Sequence, residues 1–147
     1  MRVPPPIITL GLALAMYGLD YVSPTWLSFS GLVWFSGLFA LGAIIFLLPA
    51  VAQFVRSNTT VNPYTPQKSS KLVDDGVYRF SRNPMYLGMA LALASWASYL
   101  ENILSYVFVF FFISYMTRFQ ILFEEEALLE KFNVEFEAYC KRGRRWL

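Results

Sequence analysis

Four long runs of apolar residues dominate the pattern along the chain. They cover residues 7–21, 31–55, 85–100 and 103–123. No Asp, Glu, Lys or Arg occurs between Asp20 and Arg56, or between Arg82 and Glu101. A helix needs about 20 apolar residues to cross a hydrocarbon core of about 30 Å, and somewhat fewer where flanking side chains reach the interface. The pattern therefore predicts an all-α, multi-pass membrane protein with four transmembrane helices.

Polar residues and a proline separate the four runs. Pro24 follows the first run, and Glu101 marks a short turn between the last two. A polar link, residues 56–84, joins the second run to the third. A tail, residues 124–147, continues the helical period beyond the fourth run. We therefore expect one membrane domain, residues 1–147, with a juxtamembrane helix in its tail.

The few charges are distributed unevenly. Charged residues make up 15% of the chain, whereas soluble domains carry roughly a quarter, so the composition argues against a water-soluble globule. All 12 Lys and Arg residues lie before the first run, in the link, or at or beyond the end of the fourth run. With four spans these three regions share one side of the membrane, and basic residues concentrate on the cytoplasmic side. Both termini are therefore predicted to be cytoplasmic.

The end of the link carries signals for a turn and a helix start. Asp75 and Gly76 form a turn dipeptide, and Asn83 with Pro84 places an N-cap residue before the proline favoured at the first helical position. Such a helix start attracts an anion. In the alternative interpretation, the neighbouring arginines contact lipid phosphates and the neighbouring tyrosines form an aromatic belt at the membrane surface. Two tyrosines and two arginines flank it: Tyr78, Arg79, Arg82 and Tyr86.

Three adjacent glutamates, Glu124, Glu125 and Glu126, stand where the fourth run ends. Consecutive helical residues point in different directions, so we expect at least one of them to face the bundle or the link. The single cysteine, Cys140, excludes an internal disulfide and a zinc site built from several cysteines. The basic residues after Cys140 are interpreted as contacts for anionic lipid headgroups, with no nucleic-acid partner.

Two blocks of residues carry a family resemblance. They are Gly76-Val77-Tyr78-Arg79 with Arg82-Asn83-Pro84-Met85-Tyr86-Leu87-Gly88, and Glu124-Glu125 with Leu128, Phe132, Tyr139 and Arg145-Trp146. Over roughly the last 90 residues the chain resembles the isoprenylcysteine carboxyl methyltransferases and their bacterial relatives, close to the phospholipid methyltransferases. The resemblance implies an S-adenosylmethionine-dependent methyltransferase of a prokaryotic cytoplasmic membrane. Its site would face the cytoplasm, and its acceptor would be a lipophilic or small apolar molecule in the bilayer.

The resemblance also implies site residues. The cofactor-binding set comprises Ser70, Lys71, Leu72, Val73, Tyr78, Asn83, Pro84, Met85, Tyr86 and Glu124. The substrate-side candidates are Gln120, Arg82 and Glu125. Physical chemistry agrees, because a helix N-terminus suits the carboxylate of this cofactor, Glu124 its ammonium group, and tyrosines its adenine or sulfonium. No metal ligand is implied.

Two positions depart from the family pattern. Asn83 stands where the family commonly has histidine, and asparagine does not titrate near neutral pH, so no general base is assigned. Gln120 stands where the prenylcysteine enzymes have an arginine, which leaves a carboxyl, amine, phenol or thiol acceptor open. Two other functions remain as alternatives: a non-catalytic membrane relative that binds lipid or a partner, and a sterol-reductase-like enzyme that uses NADPH.

Overall fold

Six α-helices make up most of the described chain. The computed structural model describes residues 3–56, 72 and 74–147. The helices are α1 (Pro5–Val22), α2 (Val33–Arg56), α3 (Pro84–Tyr99), α4 (Ser105–Met116), α5 (Leu122–Phe132) and α6 (Val134–Arg142). Within these residues, extended pairing is limited to two isolated bridges, Ser28 with Asn102 and Ser81 with Arg144. The predicted all-α class is therefore confirmed for the part of the chain that the structure describes.

Three of the described helices are long and apolar enough to cross a membrane. They are Pro5–Val22, Val33–Gln53 and Ser105–Phe132, and they match the first, second and fourth predicted runs. The third run forms α3, which has 16 residues. At 1.5 Å per residue α3 is about 24 Å long, shorter than a hydrocarbon core of about 30 Å. The structure thus provides three candidate spans, and a four-span arrangement stays a prediction.

The last candidate span extends beyond its predicted end. The sequence predicts that the span ends at residue 123 and that the helical period continues into the tail, and the helix does continue through the three glutamates to Phe132. A π-helical turn, Thr117–Ile121, joins α4 to α5. The backbone hydrogen bonds continue through this turn, from the amide of Leu122 to the carbonyl of Thr117, although the side chains change from apolar to polar.

The described residues fall into two compact units. The first contains the residues up to Ile45 together with Gly88–Tyr115, and the second contains Phe46–Leu87 and Met116–Leu147. The first unit therefore consists of α1, about half of α2, and most of α3 and α4. Every predicted site residue that the structure describes belongs to the second unit.

Polar contacts tie the turns of the first unit together. The backbone amide of Gly31 donates to the Glu101 carboxylate at 2.8 Å. The side-chain amide of Asn102 donates to the Asp20 carboxylate at 3.2 Å. Glu101 adopts a positive φ of 55°, as expected for the short turn that its position predicts. These bonds pair polar groups near the helix ends. An unpaired polar group costs free energy in an apolar environment.

The second unit has an apolar core between α2, α6 and a 3₁₀ turn. Ala50, Tyr78, Phe136 and Tyr139 are buried and form one cluster. The Tyr139 hydroxyl donates to the backbone carbonyl of Tyr78 at 2.7 Å. Because Tyr78 belongs to the turn Gly76–Arg79, this bond fixes the end of the link on α6.

The Asp75-Gly76 turn predicted from the sequence is confirmed. Gly76 has a φ of +58°, a conformation that glycine adopts at low cost. The side-chain amide of Gln53, near the end of α2, donates to the Asp75 carboxylate. This bond connects the turn to the end of α2.

Candidate active site

The first turn of α3 forms one wall of the candidate site. Helix α3 begins at Pro84, as predicted, and Pro84 is fully buried. The Asn83 carbonyl accepts the first helical hydrogen bond, from the amide of Leu87 at 2.9 Å. Proline supplies no N–H, so the helix start leaves the amides of Met85 and Tyr86 without an acceptor inside the helix. These two amides can bind an anionic group.

A carboxylate of α5 is hydrogen-bonded to the first turn of α3. The Tyr86 hydroxyl donates to Glu124 Oε1 at 2.8 Å. Gln120 Nε2 donates to the same oxygen at 2.5 Å. Tyr86 and Gln120 are buried, whereas Glu124 is half-buried. We call Tyr86, Gln120 and Glu124 the carboxylate cluster, and it holds a negative charge in a fixed orientation.

The π-helical turn supplies one donor of this cluster. Gln120 lies within the turn Thr117–Ile121, four residues before Glu124. Short π-helical turns inside α-helices frequently occur at functional sites. Neither apolar periodicity nor residue type signals this turn in the sequence.

Tyr78 lies beside the carboxylate cluster, in the apolar core of the second unit. Only 5% of its surface is exposed. Burial raises the pKa of the Tyr78 hydroxyl, and electrostatic interaction with Tyr139 and Glu124 raises it further. The hydroxyl is therefore protonated at neutral pH and acts as a neutral polar group. Two other predicted cofactor residues, Leu72 and Met85, pack against the same core.

Glu125 forms an ion-pair cluster with two arginines. Arg82 Nη2 lies 2.8 Å from Glu125 Oε1, and Arg145 Nη2 lies 2.7 Å from Glu125 Oε2. The side chains of Arg82 and Glu125 are only 12% and 16% exposed. The hydrogen bond to Glu125 raises the pKa of the Arg145 guanidinium. As expected for consecutive glutamates, Glu124 and Glu125 contact different partners, and both face other elements of this unit.

The residues at the C-terminus are bound by the same region. We call residues 143–147 the C-terminal segment. The Arg82 amide donates to the Arg144 carbonyl at 2.8 Å, and the Asn83 side-chain amide donates to the Arg145 carbonyl at 3.0 Å. The Trp146 indole donates to Thr117 Oγ1 at 3.1 Å. These contacts connect the C-terminal segment to the end of the link and to the π-helical turn.

Arg82 is extensively bonded within the second unit. Its Nη1 donates to the carbonyls of Cys140 and Gly143, each at 3.1 Å, and its Nη2 to Glu125. The family resemblance predicts a substrate-side position for Arg82 and Glu125. In the structure these two side chains bind each other and the C-terminal segment, so the chain itself already occupies Nη1 and Nη2 of Arg82 and both carboxylate oxygens of Glu125.

Five of the described residues of the predicted site thus form two groups of bonded side chains. Tyr86, Gln120 and Glu124 make the carboxylate cluster, while Arg82 and Glu125 belong to the ion-pair cluster. Three predicted cofactor residues, Ser70, Lys71 and Val73, lie outside the described residues. The sequence does not predict Thr117 as a contact, because its only signal is proximity to Gln120 in a turn that the sequence does not reveal.

The arrangement favours a ligand that carries both a cation and an anion. The Glu124 carboxylate suits an ammonium group, the amides of Met85 and Tyr86 suit a carboxylate, and the aromatic residues suit a flat or sulfonium group. Among the described residues, no group of three or more Cys, Asp or Glu side chains is placed to hold a metal ion. The chain contains no histidine.

Comparison with known proteins identifies the family. Residues 32–135 match the phospholipid methyltransferase family. An uncharacterized protein of Haemophilus influenzae is 41% identical over 63 residues, which are 43% of this chain and 100% of that relative. No solved structure matches the chain. The family match covers the carboxylate cluster and Glu125, and it ends before the C-terminal segment. The chain therefore belongs to the phospholipid methyltransferase family.

Proposed function

We propose that the protein is an S-adenosylmethionine-dependent methyltransferase that acts on a lipophilic or small apolar acceptor in the membrane. The observation that carries the proposal is the carboxylate cluster, in which Tyr86 and Gln120 hold Glu124 beside the first turn of α3. Membership of the phospholipid methyltransferase family and the three candidate membrane spans support it.

The residues present fit this cofactor. S-adenosylmethionine carries an ammonium group and a carboxylate on the same carbon atom. Glu124 would hold the ammonium group, and the amides of Met85 and Tyr86 would hold the carboxylate. The side chains of Leu72 and Met85, which are partly buried and pack against the core that contains Tyr78, would provide apolar surface for the rest of the molecule. Asn83 and Pro84 contribute by fixing the start of the helix.

When bound, S-adenosylmethionine would supply a methyl group on a sulfonium: a nucleophile of the acceptor would bond to this carbon as the carbon–sulfur bond breaks, and S-adenosylhomocysteine would leave. The protein's own residues align the two molecules and exclude water. Tyr86 and Gln120 keep the Glu124 carboxylate in one orientation, and the apolar core of the second unit limits access of water. Since the chain has no histidine and burial raises the pKa of Tyr78, no described group is assigned as a general base.

The proposed topology places this chemistry on the cytoplasmic side. The proposal has four spans, both termini in the cytoplasm of a prokaryotic cell, and α6 as a juxtamembrane helix. The distribution of the 12 basic residues supports it. A site built from the link and the tail would then meet a soluble cofactor from the cytoplasm and an apolar acceptor from the bilayer.

The proposed binding mode is tested by calorimetric titration of the purified protein with S-adenosylmethionine. Glu124→Gln removes the charge that holds the ammonium group and is expected to weaken binding by about tenfold or more. Glu126→Gln is the matched control, because Glu126 is exposed on the same helix and loses the same charge. Absence of saturable binding by the unmodified protein would overturn the proposal, and equal affinities of the two variants would overturn the role of Glu124.

A further inference from the structure

The C-terminal segment is anchored to three separate parts of the second unit. Backbone carbonyls of the segment accept hydrogen bonds from Arg82 and Asn83, at the end of the link. The Arg145 side chain makes three hydrogen bonds to the Glu125 carboxylate, with distances of 2.7, 3.1 and 3.2 Å. The indole of Trp146 reaches the π-helical turn. A short polar segment with this many anchors is held in one place.

Each anchor lies close in sequence to a member of the carboxylate cluster. Asn83 precedes Tyr86 by one helical turn, and Glu125 directly follows Glu124. Thr117 precedes Gln120 within the same π-helical turn. The C-terminal segment therefore connects the three chain positions from which the cluster is built, although the segment itself supplies none of the cluster's side chains.

The ion pair between Arg145 and Glu125 is the strongest of these anchors on physical grounds. Two parallel hydrogen bonds between a guanidinium and a carboxylate are stronger and more directional than bonds between neutral groups. The Glu125 side chain is 16% exposed and that of Arg145 is 38% exposed, so water screens the carboxylate end of this pair less than it screens a fully exposed pair. Arg82 also pairs with Glu125, and the carboxylate therefore keeps a cation when Arg145 is replaced.

We propose that Arg145 is a positioning residue of the active site. Through Glu125 it docks the C-terminal segment across the start of α3 and the π-helical turn, and this docking sets the spacing of Tyr86, Gln120 and Glu124. The inference rests on the proposed function, because its test measures the affinity of the protein for S-adenosylmethionine. Arg82 and Glu125 then help to hold the C-terminal segment in this position.

Thermodynamic linkage gives this proposal a reciprocal consequence. If docking of the segment favours cofactor binding, cofactor binding must favour docking by the same factor. S-adenosylmethionine should then slow hydrogen exchange in the unmodified protein at residues 80–84 and 140–147, where Arg82 meets the segment. Loss of the Arg145 side chain should speed exchange there and weaken cofactor binding.

The experiment measures both quantities on the full-length protein in detergent. Arg145→Gln is expected to weaken binding of S-adenosylmethionine by about fivefold or more, which is within the usual range of coupling between sites. Arg145→Lys keeps the charge and should restore part of that affinity. Lys141→Gln is the control, because it removes one positive charge from an exposed position of α6, and its affinity should equal that of the unmodified protein.

The outcomes separate this inference from the proposed function. If the unmodified protein does not bind S-adenosylmethionine, the proposed function fails and this inference fails with it. If the unmodified protein binds and Arg145→Gln binds equally well while its exchange at residues 140–147 speeds up, only the positioning role is overturned. Faster exchange together with weaker binding in Arg145→Gln, and neither in Lys141→Gln, supports it.

Discussion

The hydroxyl of Tyr86 gives a narrow test of the carboxylate cluster, because it can be removed without changing any other group of the cluster. Tyr86→Phe keeps the ring and deletes the donor to Glu124. A hydrogen bond to a charged group contributes about 1.5 kcal/mol or more, so affinity for S-adenosylmethionine should fall about tenfold. Titration calorimetry measures it. Tyr99→Phe, an exposed position at the other end of α3, should bind like the unmodified protein, and equal binding by both variants would contradict the assigned role of the hydroxyl.

At the level of residues, the sequence identifies types better than partners. Residue type marks Glu124 as a carboxylate and Tyr86 as an aromatic residue, yet nothing in the pattern says that the two side chains meet across 38 positions. The same limit explains Arg82. An arginine beside a helix N-terminus suits an anionic ligand, but its partner in the structure is a carboxylate of the chain itself, Glu125. Pairings over such separations depend on packing and cannot be derived from spacing.

At the level of elements, hydropathy and helix-start signals predict most of the fold. The apolar runs predict α1, α2 and α4, and the dipeptide Asn83-Pro84 predicts the start of α3 to the residue. The junction of α4 and α5 is different, because the polarity of the side chains changes there while the backbone hydrogen bonds continue. Apolar patterning therefore gives the end of the apolar run, and the continuation of the helix follows only from the helical period of the tail.

Gly76 gives a prediction about the turn that precedes α3. Its φ of +58° disfavours a side chain, and a Cβ at this position would lie 2.5 Å from Gln53 Oε1. Gly76→Ala should therefore destabilise the protein by about 1–2 kcal/mol. Thermal unfolding in detergent measures the change. Gly37→Ala is the control, since a Cβ there meets no described atom within 4 Å, and its midpoint should not fall; an equal effect of both changes would contradict this explanation of the turn.

For the whole molecule, the decisive question of topology is whether α3 crosses the membrane. Ser30 lies in the turn before α2, and Glu135 lies in α6; both are exposed. If α2, α3 and the helix Ser105–Phe132 all cross, these positions lie on opposite sides, whereas they share a side if α3 does not cross. The charge distribution predicts that Ser30 is external and Glu135 cytoplasmic.

Cysteine labelling distinguishes these arrangements. Ser30→Cys and Glu135→Cys are each placed in a Cys140→Ser background, which removes the native thiol. In bacterial spheroplasts a membrane-impermeant maleimide should label Ser30→Cys directly and Glu135→Cys only after permeabilisation. Labelling of both positions under the same condition would show that α3 does not cross, and the reverse pattern would show an inverted orientation.

The central claim is that this membrane protein transfers a methyl group from S-adenosylmethionine to an apolar acceptor. Its most direct test is to incubate membranes that contain the protein with cofactor labelled in the methyl group and to extract them with organic solvent. We predict label in the organic phase that depends on the protein, is retained by Glu126→Gln and is lost in Glu124→Gln. The claim would be contradicted if the organic phase contained no more label than it does with membranes that lack the protein. This result counts when protein purified from the same membranes is folded.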